Sequence, residues 1–329
     1  MTKRVAYIIV CWNNKELLDE CINSINQQTY KDKVIYLIDN NSSDGSADFV
    51  ANNYPEIRLV RSNKNNGFAR GNNLLIKEAL KDEKVKYLAL INSDARITPA
   101  WTEKLINESN AHNQVACLQG LTLDYFDHSI IDSHHIYLSD NLQSTQYAYQ
   151  ELNNQENLSS CEVMGVNAAA AIITRSFIDE QPYKNLFDES FFMYLEDVDV
   201  SLRALIIGWH NYFVGDAIAY HMGSASSKSR SSSFSLYYTA RNQFGLLLKN
   251  LPTPILIRAC PIFFRYEYRF LVYLKSSYST RVLLKYIQGR IVGLLRVPVY
   301  LSKRQKLQKN SRIQPDFLWT LMSSKGWIE

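Results

Sequence analysis

The sequence predicts an α/β fold in which a mostly parallel central sheet is flanked by helices and followed by a basic helical appendage. Three observations carry this. Short apolar runs of strand length alternate with segments whose apolar residues keep helical spacing. The early runs end in polar clusters, which places those clusters along one carboxyl edge, where open α/β sheets bind ligands. Beyond Leu251-Pro252-Thr253-Pro254 the composition turns basic and aromatic.

Taken in order, Val5 to Val10 is the first apolar run. Asn14 stands at a helix-cap position, and Leu17, Leu18, Cys21, Ile22 and Ile25 space the helix after it. Val34 to Ile38 is a second strand, closing on Asp39-Asn40-Asn41-Ser42-Ser43-Asp44-Gly45-Ser46. Ile57 to Val60 is a third, leading into Asn65-Asn66-Gly67-Phe68-Ala69-Arg70-Gly71-Asn72-Asn73 and a helix, opened at Gly71, that runs to about Leu80. Tyr87 to Ile91 is apolar throughout, as in a strand buried on both faces, and Asn92-Ser93-Asp94 follows it. Pro99 and Trp101 open another helix. Residues 121–160, rich in Asp, Asn, Gln and Ser, read as an insertion or loop zone. Val166 to Ile173 reads as a strand. Glu196 to Ile207 reads as a helix with acids in its first turn, where the macrodipole favours them. Asn211 to Tyr220 is a strand that His221 ends. Residues 222–235 hold eight serines with Lys228 and Arg230, a flexible loop by composition.

At 329 residues, 46% hydrophobic and 21% charged, the chain is globular by composition, with a large domain over 1–250 and an appendage over 251–329. Its five cysteines show no C-x-x-C, and Cys11, Cys21 and Cys117 lie within apolar patterns, so reduced core thiols in a reducing compartment are expected. Met1-Thr2-Lys3-Arg4 runs straight into a strand, so no signal peptide is expected, and no apolar window of about 18 residues predicts a spanning helix. The net charge of +4 hides an asymmetry: residues 249–312 hold fourteen Lys and Arg against one acid, Glu267, leaving +13 there and −9 elsewhere. A basic tail on an acidic body calls for a polyanionic partner.

The candidate chemistry sits in the clusters. Asp94, just past a buried strand, offers hard oxygen donors suited to Mg²⁺ or Mn²⁺ held against a diphosphate; taken alone it reads first as a helix cap, and the neighbouring clusters reverse that order. Asp39 can accept from a base imide N–H, or it closes an Asx turn. Gly67 and Gly71 flank Arg70 at a helix start, an arrangement that attracts phosphate, but neither G-x-x-x-x-G-K-S/T nor G-x-G-x-x-G occurs, which disfavours ATPase and dinucleotide readings. Glu196 and Asp197 are adjacent acids pointing in different directions, so one can act as a general base while the other is held by hydrogen bonds; the plain alternative is two dipole-favoured acids. His221, at a strand end, is a structural histidine or a transition-metal ligand.

As a set, these motifs resemble the inverting family 2 glycosyltransferases of GT-A fold. The matching residues are Val10-Cys11-Trp12-Asn13, Asp39 to Gly45, Asn66 to Asn73, Asn92-Ser93-Asp94, and Tyr194-Leu195-Glu196-Asp197-Val198-Asp199 with Arg203, in family order over about residues 4 to 245. The bacterial rhamnosyltransferase-like branch, which builds O-antigen and other surface glycans, is the nearest in pattern, and Tyr237-Tyr238 with Arg241-Asn242 adds to that similarity. The resemblance implies a nucleotide-sugar donor, dTDP-rhamnose first and UDP-hexoses next, with Asp39 on the uracil or thymine ring and Arg70 near the base or diphosphate. Trp12, Asn13, Asn41, Asn66, Asn73, Asn92 and Ser93 would border that donor. Asp94 would be the surviving carboxylate of a D-x-D metal motif whose first place Asn92 takes, with His221 completing the metal shell. Asp197 would be the catalytic base, supported by Glu196 and Asp199, with Arg203, Arg230 and Arg241 as further candidates. Competing readings are a sugar nucleotidyltransferase, which lacks its Gly-rich basic loop after the first strand, and a non-catalytic nucleotide- or glycan-binding module.

In the tail, Arg281, Lys285 and Arg296 fall on one side of a helical wheel and Leu283, Ile287, Ile291 and Leu294 on the other, with Arg290 and Val292 spoiling the separation. Such a helix suits an anionic membrane surface, or packs as an appendage on the main domain or on a second copy. Nucleic acid fits poorly, because no recognised module accompanies the charge. The resemblance adds a polyprenyl-diphosphate-linked glycan acceptor and places the protein in the cytoplasm, peripheral on the inner face of the membrane.

Overall fold

A computed structural model describes residues 3–153, 158–223 and 232–327. The chain opens as β1 (Arg4–Cys11), α1 (Lys15–Asn26), β2 (Lys33–Asp39), α2 (Ser46–Asn53), β3 (Arg58–Arg61), α3 (Gly67–Ala79) and β4 (Val85–Ile91). β1 pairs in parallel with β2 and β4, and β2 with β3, so each connection is a helical crossover. Because Cys11 pairs with Asp39, the carboxyl ends of β1 and β2 lie side by side.

The second half mixes directions. After β5 (Ala95–Ile97) and α4 (Trp101–Ala111) come β6 (Val115–Asp124), β7 (Ile131–Ser133), β8 (Ile136–Leu138), β9 (Ser144–Gln146) and β10 (Cys161–Val163). Then follow β11 (Ala170–Thr174), α5 (Arg175–Glu180), α6 (Glu196–Ile206) and β12 (His210–His221). The main path runs β10-β12-β6-β11-β4-β1-β2-β3. β11 lies antiparallel between β4 and β6, while β12 is parallel to β6, so His221 emerges at the edge where β1, β2 and β4 end. This is the mostly parallel, helix-flanked sheet of the GT-A fold.

Three expectations change. The zone 121–160 is not a plain loop: β6 reaches Asp124, and β7 to β9 fall within it. The expected strand over 166–173 begins only at Ala170, because the chain before it is spent on the site wall. α3 opens at Gly67, not Gly71; Gly71 is inside the helix, where an added Cβ would press on Val10 and Asn40.

The tail forms α7 (Ser233–Asn250), α8 (Thr253–Ser277), α9 (Thr280–Leu295), α10 (Val297–Lys309) and α11 (Pro315–Ser323). It is not a detached appendage. Ile255, Ala259, Tyr300, Leu307, Leu318 and Leu321 complete the same apolar cluster as Leu88 of β4 and Leu202 of α6. α9 meets α7 through small residues: a Cβ at Gly289 would fall 2.4 Å from the Tyr237 carbonyl oxygen, and one at Gly293 2.6 Å from that of Arg241. Arg290 turns inward to Glu267 and to the Ala240 carbonyl, which explains why it broke the wheel. The apolar residues Ile257, Phe264, Tyr268, Leu284, Ile291 and Leu295 are left exposed, among exposed Arg265, Arg269, Arg281 and Lys285. No described helix is long and apolar enough to cross a membrane.

Candidate active site

One cavity of about 430 Å³ opens at the carboxyl edge. Trp12, Asn14 and Asn40 reach it from the ends of β1 and β2, and Asn65, Gly67 and Phe68 from the start of α3. Asn92, Ser93 and Asp94 follow β4, Glu196 and Asp197 open α6, and His221 ends β12. Acids 94 and 197, about a hundred positions apart, therefore line a single hollow.

Strand pairing explains why Asp94 and His221 meet. β5 pairs with the end of β12, setting Ala95 opposite His221, and the Met222 N–H donates to the Asp94 carbonyl. His221 Nε2 lies 3.4 Å from Asp94 Oδ1, and the Asn92 amide lies 3.3 Å from the same nitrogen. Asp132 of β7 stands behind, its Oδ2 2.9 Å from His221 Nδ1. A carboxylate on the far nitrogen fixes the imidazole's orientation and raises its basicity, as behind metal-bound histidines. Burial works against a charged His221, but the charge of Asp94 and the hydrogen bonds the imidazole donates to both acids outweigh it and raise the group to about 10. Burial likewise pushes Asp94 up, but the His221 charge wins and holds it below its usual range. The same two carboxylates favour a divalent cation in place of that proton.

The donor set fits an open metal site. Asp94 offers carboxylate oxygen and His221 an imidazole nitrogen, which suit Mn²⁺. Among the described residues, no group of three or more His, Cys, Asp or Glu side chains is arranged to hold a metal alone. A two-residue site leaves the remaining positions to phosphate oxygens and water, the usual arrangement for ions that carry phosphate substrates.

Glu196 and Asp197 follow a strained turn. Phe192, Tyr194 and Leu195 all have φ between 63° and 71°, a region that costs about 1–3 kcal/mol per residue unless the surroundings enforce it. They are enforced here. The Asn242 amide donates to the carbonyls of Phe191, Met193 and Tyr194 at 2.8–2.9 Å. Arg241 and Arg296 donate to the Ser190 carbonyl at 3.0 and 2.8 Å. The Ala69 N–H of α3 donates to the Phe192 carbonyl. Burial raises Glu196 well above the usual carboxylate range, and the charge of Asp197 adds to it. Burial also raises Asp197, partly offset by the N–H groups of Val198 and Ala168. Two adjacent acids held above their usual range and both lining the cavity are suited to proton transfer.

The remaining expected residues divide by position. Asp39 is buried next to Asn40, which lines the cavity, and does not line it itself; Oδ2 accepts from the Ser42 N–H, and the buried Oδ1 has no hydrogen-bond partner. Asn13 and Asn41 have left-handed backbones, and the Asn13 side chain accepts from the Ser43 N–H, tying the loops after β1 and β2 together. Asn66 donates to Ser62 and Asn40, shaping the start of α3. Asn14 is not an N-cap by its side chain: its amide donates to Ser93 Oγ, and Asp44 takes the Lys15 N–H instead.

Several candidates do not enter the cavity. Arg70 is half exposed and lies 4.0 Å from Glu189. Asn73 uses its amide on both backbone groups of Phe187. Asp199 and Arg203 are fully buried beneath the site in an ionic chain: Arg203 to Asp199 at 3.2 Å, Lys249 to Asp199 at 2.9 Å and to Asp188 at 2.6 Å, and Lys303 to Asp188 at 2.5 Å. Their helical spacing put them on the face of α6 opposite Asp197, so they support the fold under the loop. Arg241 clamps that loop from behind. Arg230 lies outside the described residues. Sequence reasoning passed over Asp132, Asn40 as a cavity residue, and Ser144, Thr145 and Gln146 of β9, which form a further wall.

Known proteins resemble this chain in sequence and fold. A family model described as "Glycosyl transferase family 2" matches residues 7–171. A "Cholesterol galactosyltransferase" of Borreliella burgdorferi is 33% identical over 120 residues, covering 35% of this chain and 32% of its own length. An "N-acetylglucosaminyl-diphospho-decaprenol L-rhamnosyltransferase" of Mycobacterium tuberculosis is 22% identical over 261 residues, 72% of this chain and 82% of that protein. Among solved structures, GalNAc-T7 with UDP, GalNAc and Mn²⁺ superposes with a TM-score of 0.57 at 15% identity, over 73% of this chain and 47% of that one. The chain thus spans about a third of the galactosyltransferase and about half of GalNAc-T7. With half of its length matched by the family model and the motif residues gathered at one sheet edge, the chain belongs to glycosyl transferase family 2.

Proposed function

We propose that the protein is an inverting glycosyltransferase that moves a hexose, L-rhamnose from dTDP-rhamnose in the favoured case, onto a hydroxyl of a lipid-linked bacterial surface glycan. The observation that carries this is the shared cavity of Asp94 and Asp197, with the His221–Asp132 pair behind the first. The rhamnosyltransferase relative supports the choice of sugar and of a diphospho-lipid acceptor.

In this reading Asp39 Oδ1 accepts from the base N–H, Trp12 and Asn40 border the nucleoside, and the N–H groups at the start of α3 face the diphosphate. Asp94 and His221 would hold Mg²⁺ or Mn²⁺, an ion that would supply positive charge against the leaving diphosphate. Asp197 takes the proton from the acceptor hydroxyl as its oxygen bonds to the anomeric carbon. The bond from that carbon to the diphosphate oxygen breaks, its electron pair leaves with the nucleoside diphosphate, and the anomeric configuration inverts. Glu196, raised by burial and by the charge of Asp197, stands beside the base as its supporting acid. The exposed apolar and basic face of α8 and α9 suits an anionic membrane surface, which would bring the protein to a lipid-linked acceptor.

The test is a donor panel of dTDP-rhamnose, UDP-glucose, UDP-galactose and GDP-mannose with Mn²⁺ and a short lipid-linked glycan. Release of nucleoside diphosphate with product of inverted anomeric configuration is expected. Tight donor binding without any release would support a non-catalytic binding module instead.

A further inference from the structure

The cavity has a side that the donor reading leaves unused. There Tyr194 lines the wall, and a chain of rings leads outward from it over the first turns of α7. The Tyr194 and Phe234 rings are 6.4 Å apart at 69°, and those of Phe234 and Tyr238 are 4.7 Å apart. Tyr238 in turn stacks on Phe192 at 5.1 Å and 18°, and the Arg241 guanidinium lies 4.4 Å from its centroid. These rings are held at one end by the clamp that fixes residues 190–194. At the other end Phe234 stands 42% exposed at the start of α7.

Phe234 is the part-exposed end of a contiguous aromatic strip that begins at the cavity wall. On the same helix, Ser235 and Thr239 line the cavity one and five positions on, so the strip is continuous with it. A flat apolar ring flanked by hydroxyl-bearing residues matches a pyranose, which presents an apolar C–H face and a polar rim. The strip comes from α7 and from the turn leading to Asp197, not from β1, β2 and α3, where the nucleotide reading places the donor. A sugar stacked here would present a hydroxyl on the side of Asp197.

We infer that Phe234, with Tyr194 and Tyr238 behind it, forms the subsite that stacks the terminal pyranose of the acceptor. This rests on the glycosyltransferase reading and adds the substrate class and position on its acceptor side. Phe234 would be a specificity-determining residue; the Arg241 and Asn242 clamps would position the rings and never touch the sugar.

The test needs no turnover. Saturation-transfer NMR on the full chain, with dTDP or UDP and Mn²⁺ present, reads contact with methyl glycosides of N-acetylglucosamine, glucose, galactose and rhamnose. Ring C–H signals are expected for at least one glycoside. They should fall about threefold to tenfold in Phe234→Ala and return in Phe234→Trp, since a lost aromatic stack has about that effect on affinity. Phe234 is exposed, so loss of fold does not confuse the result, and the circular dichroism spectrum of each variant checks it. Equal signals in wild type and Phe234→Ala overturn the inference, as does the absence of any glycoside signal in wild type. Nucleotide binding on the same samples reports separately on the parent reading: if it is present while the sugar signals ignore Phe234, only the acceptor subsite fails.

Discussion

Oδ2 of Asp132 lies 2.9 Å from Nδ1 of His221, and this contact settles which edge of the imidazole faces Asp94. Asp132→Ala should therefore weaken Mn²⁺ binding by about 10–100-fold although it touches no metal itself. Isothermal titration of Mn²⁺ in the presence of nucleoside diphosphate checks this. An affinity equal to that of the parent protein would reduce Asp132 to a packing residue.

Asp197→Asn should retain nucleotide binding and lower turnover by about 10²-fold or more, because the amide cannot take the acceptor proton. Steady-state release of nucleoside diphosphate with saturating donor measures it. Near-normal turnover would remove Asp197 from the role.

The pH profile of the parent protein carries an independent mark. Burial raises both Glu196 and Asp197, so the base is ionised only above the ordinary carboxylate range. Activity should be lost as pH falls through a limb lying above 3.8, the ordinary Asp value, with the two acids titrating as a pair. A plot of kcat/KM against pH whose acid limb sits at or below that value would contradict the assignment.

Beneath the site, Lys249 is fully buried between Asp188 and Asp199. Lys249→Ala leaves two buried carboxylates short of a cation and should cost about 3–5 kcal/mol, read as a large fall in Tm. Burial raises Asp188, but Lys249 and Lys303 outweigh it and hold it far below its usual value. Since its folded value is depressed, its contribution is present above about pH 4 and is lost as pH falls below that. Acid unfolding followed by circular dichroism should show the loss shrinking in Lys303→Ala.

The tail face can be tested without truncation, which would remove core residues such as Tyr300 and Leu307. The intact protein should float with anionic liposomes at low salt. Leu284→Asp combined with Ile291→Asp, both at exposed positions, should abolish flotation. An intact protein that stays in the soluble fraction would refute membrane docking.

Much of the site was legible because its residues close buried strands. Asp94 follows β4, and a carboxylate there has few places to go but the crevice; His221, ending β12, stood out the same way, while Glu196-Asp197 stood out as acids at a helix start. Asp132 gave no such signal. It sits among Asp, Ser and Asn of the 121–160 stretch, and its role arises from the pairing of β7 with β6 and of β6 with β12, which no local pattern encodes. Asp199 and Arg203 misled for the converse reason: they share a motif with Asp197 but point to the other side of α6, where Lys249 waits some fifty positions on. In the tail, the helical wheel separated basic from apolar residues, yet the contact with α7 is made through Gly289 and Gly293, which a hydrophobicity pattern passes over. Arg290 looked like a flaw in the pattern and is a partly buried tie to Glu267.

The central claim is that Asp94 links the nucleotide to a metal in the cavity that Asp197 also faces. Titration of dTDP and UDP into the protein, with Mn²⁺ and then with EDTA, tests it most directly across the parent, Asp94→Ala and Asp197→Asn. Nucleotide binding should be clearly tighter with Mn²⁺ in the parent and in Asp197→Asn, with no difference between the two buffers in Asp94→Ala. Binding that ignores Mn²⁺ in the parent, or a metal effect that survives in Asp94→Ala, would contradict it.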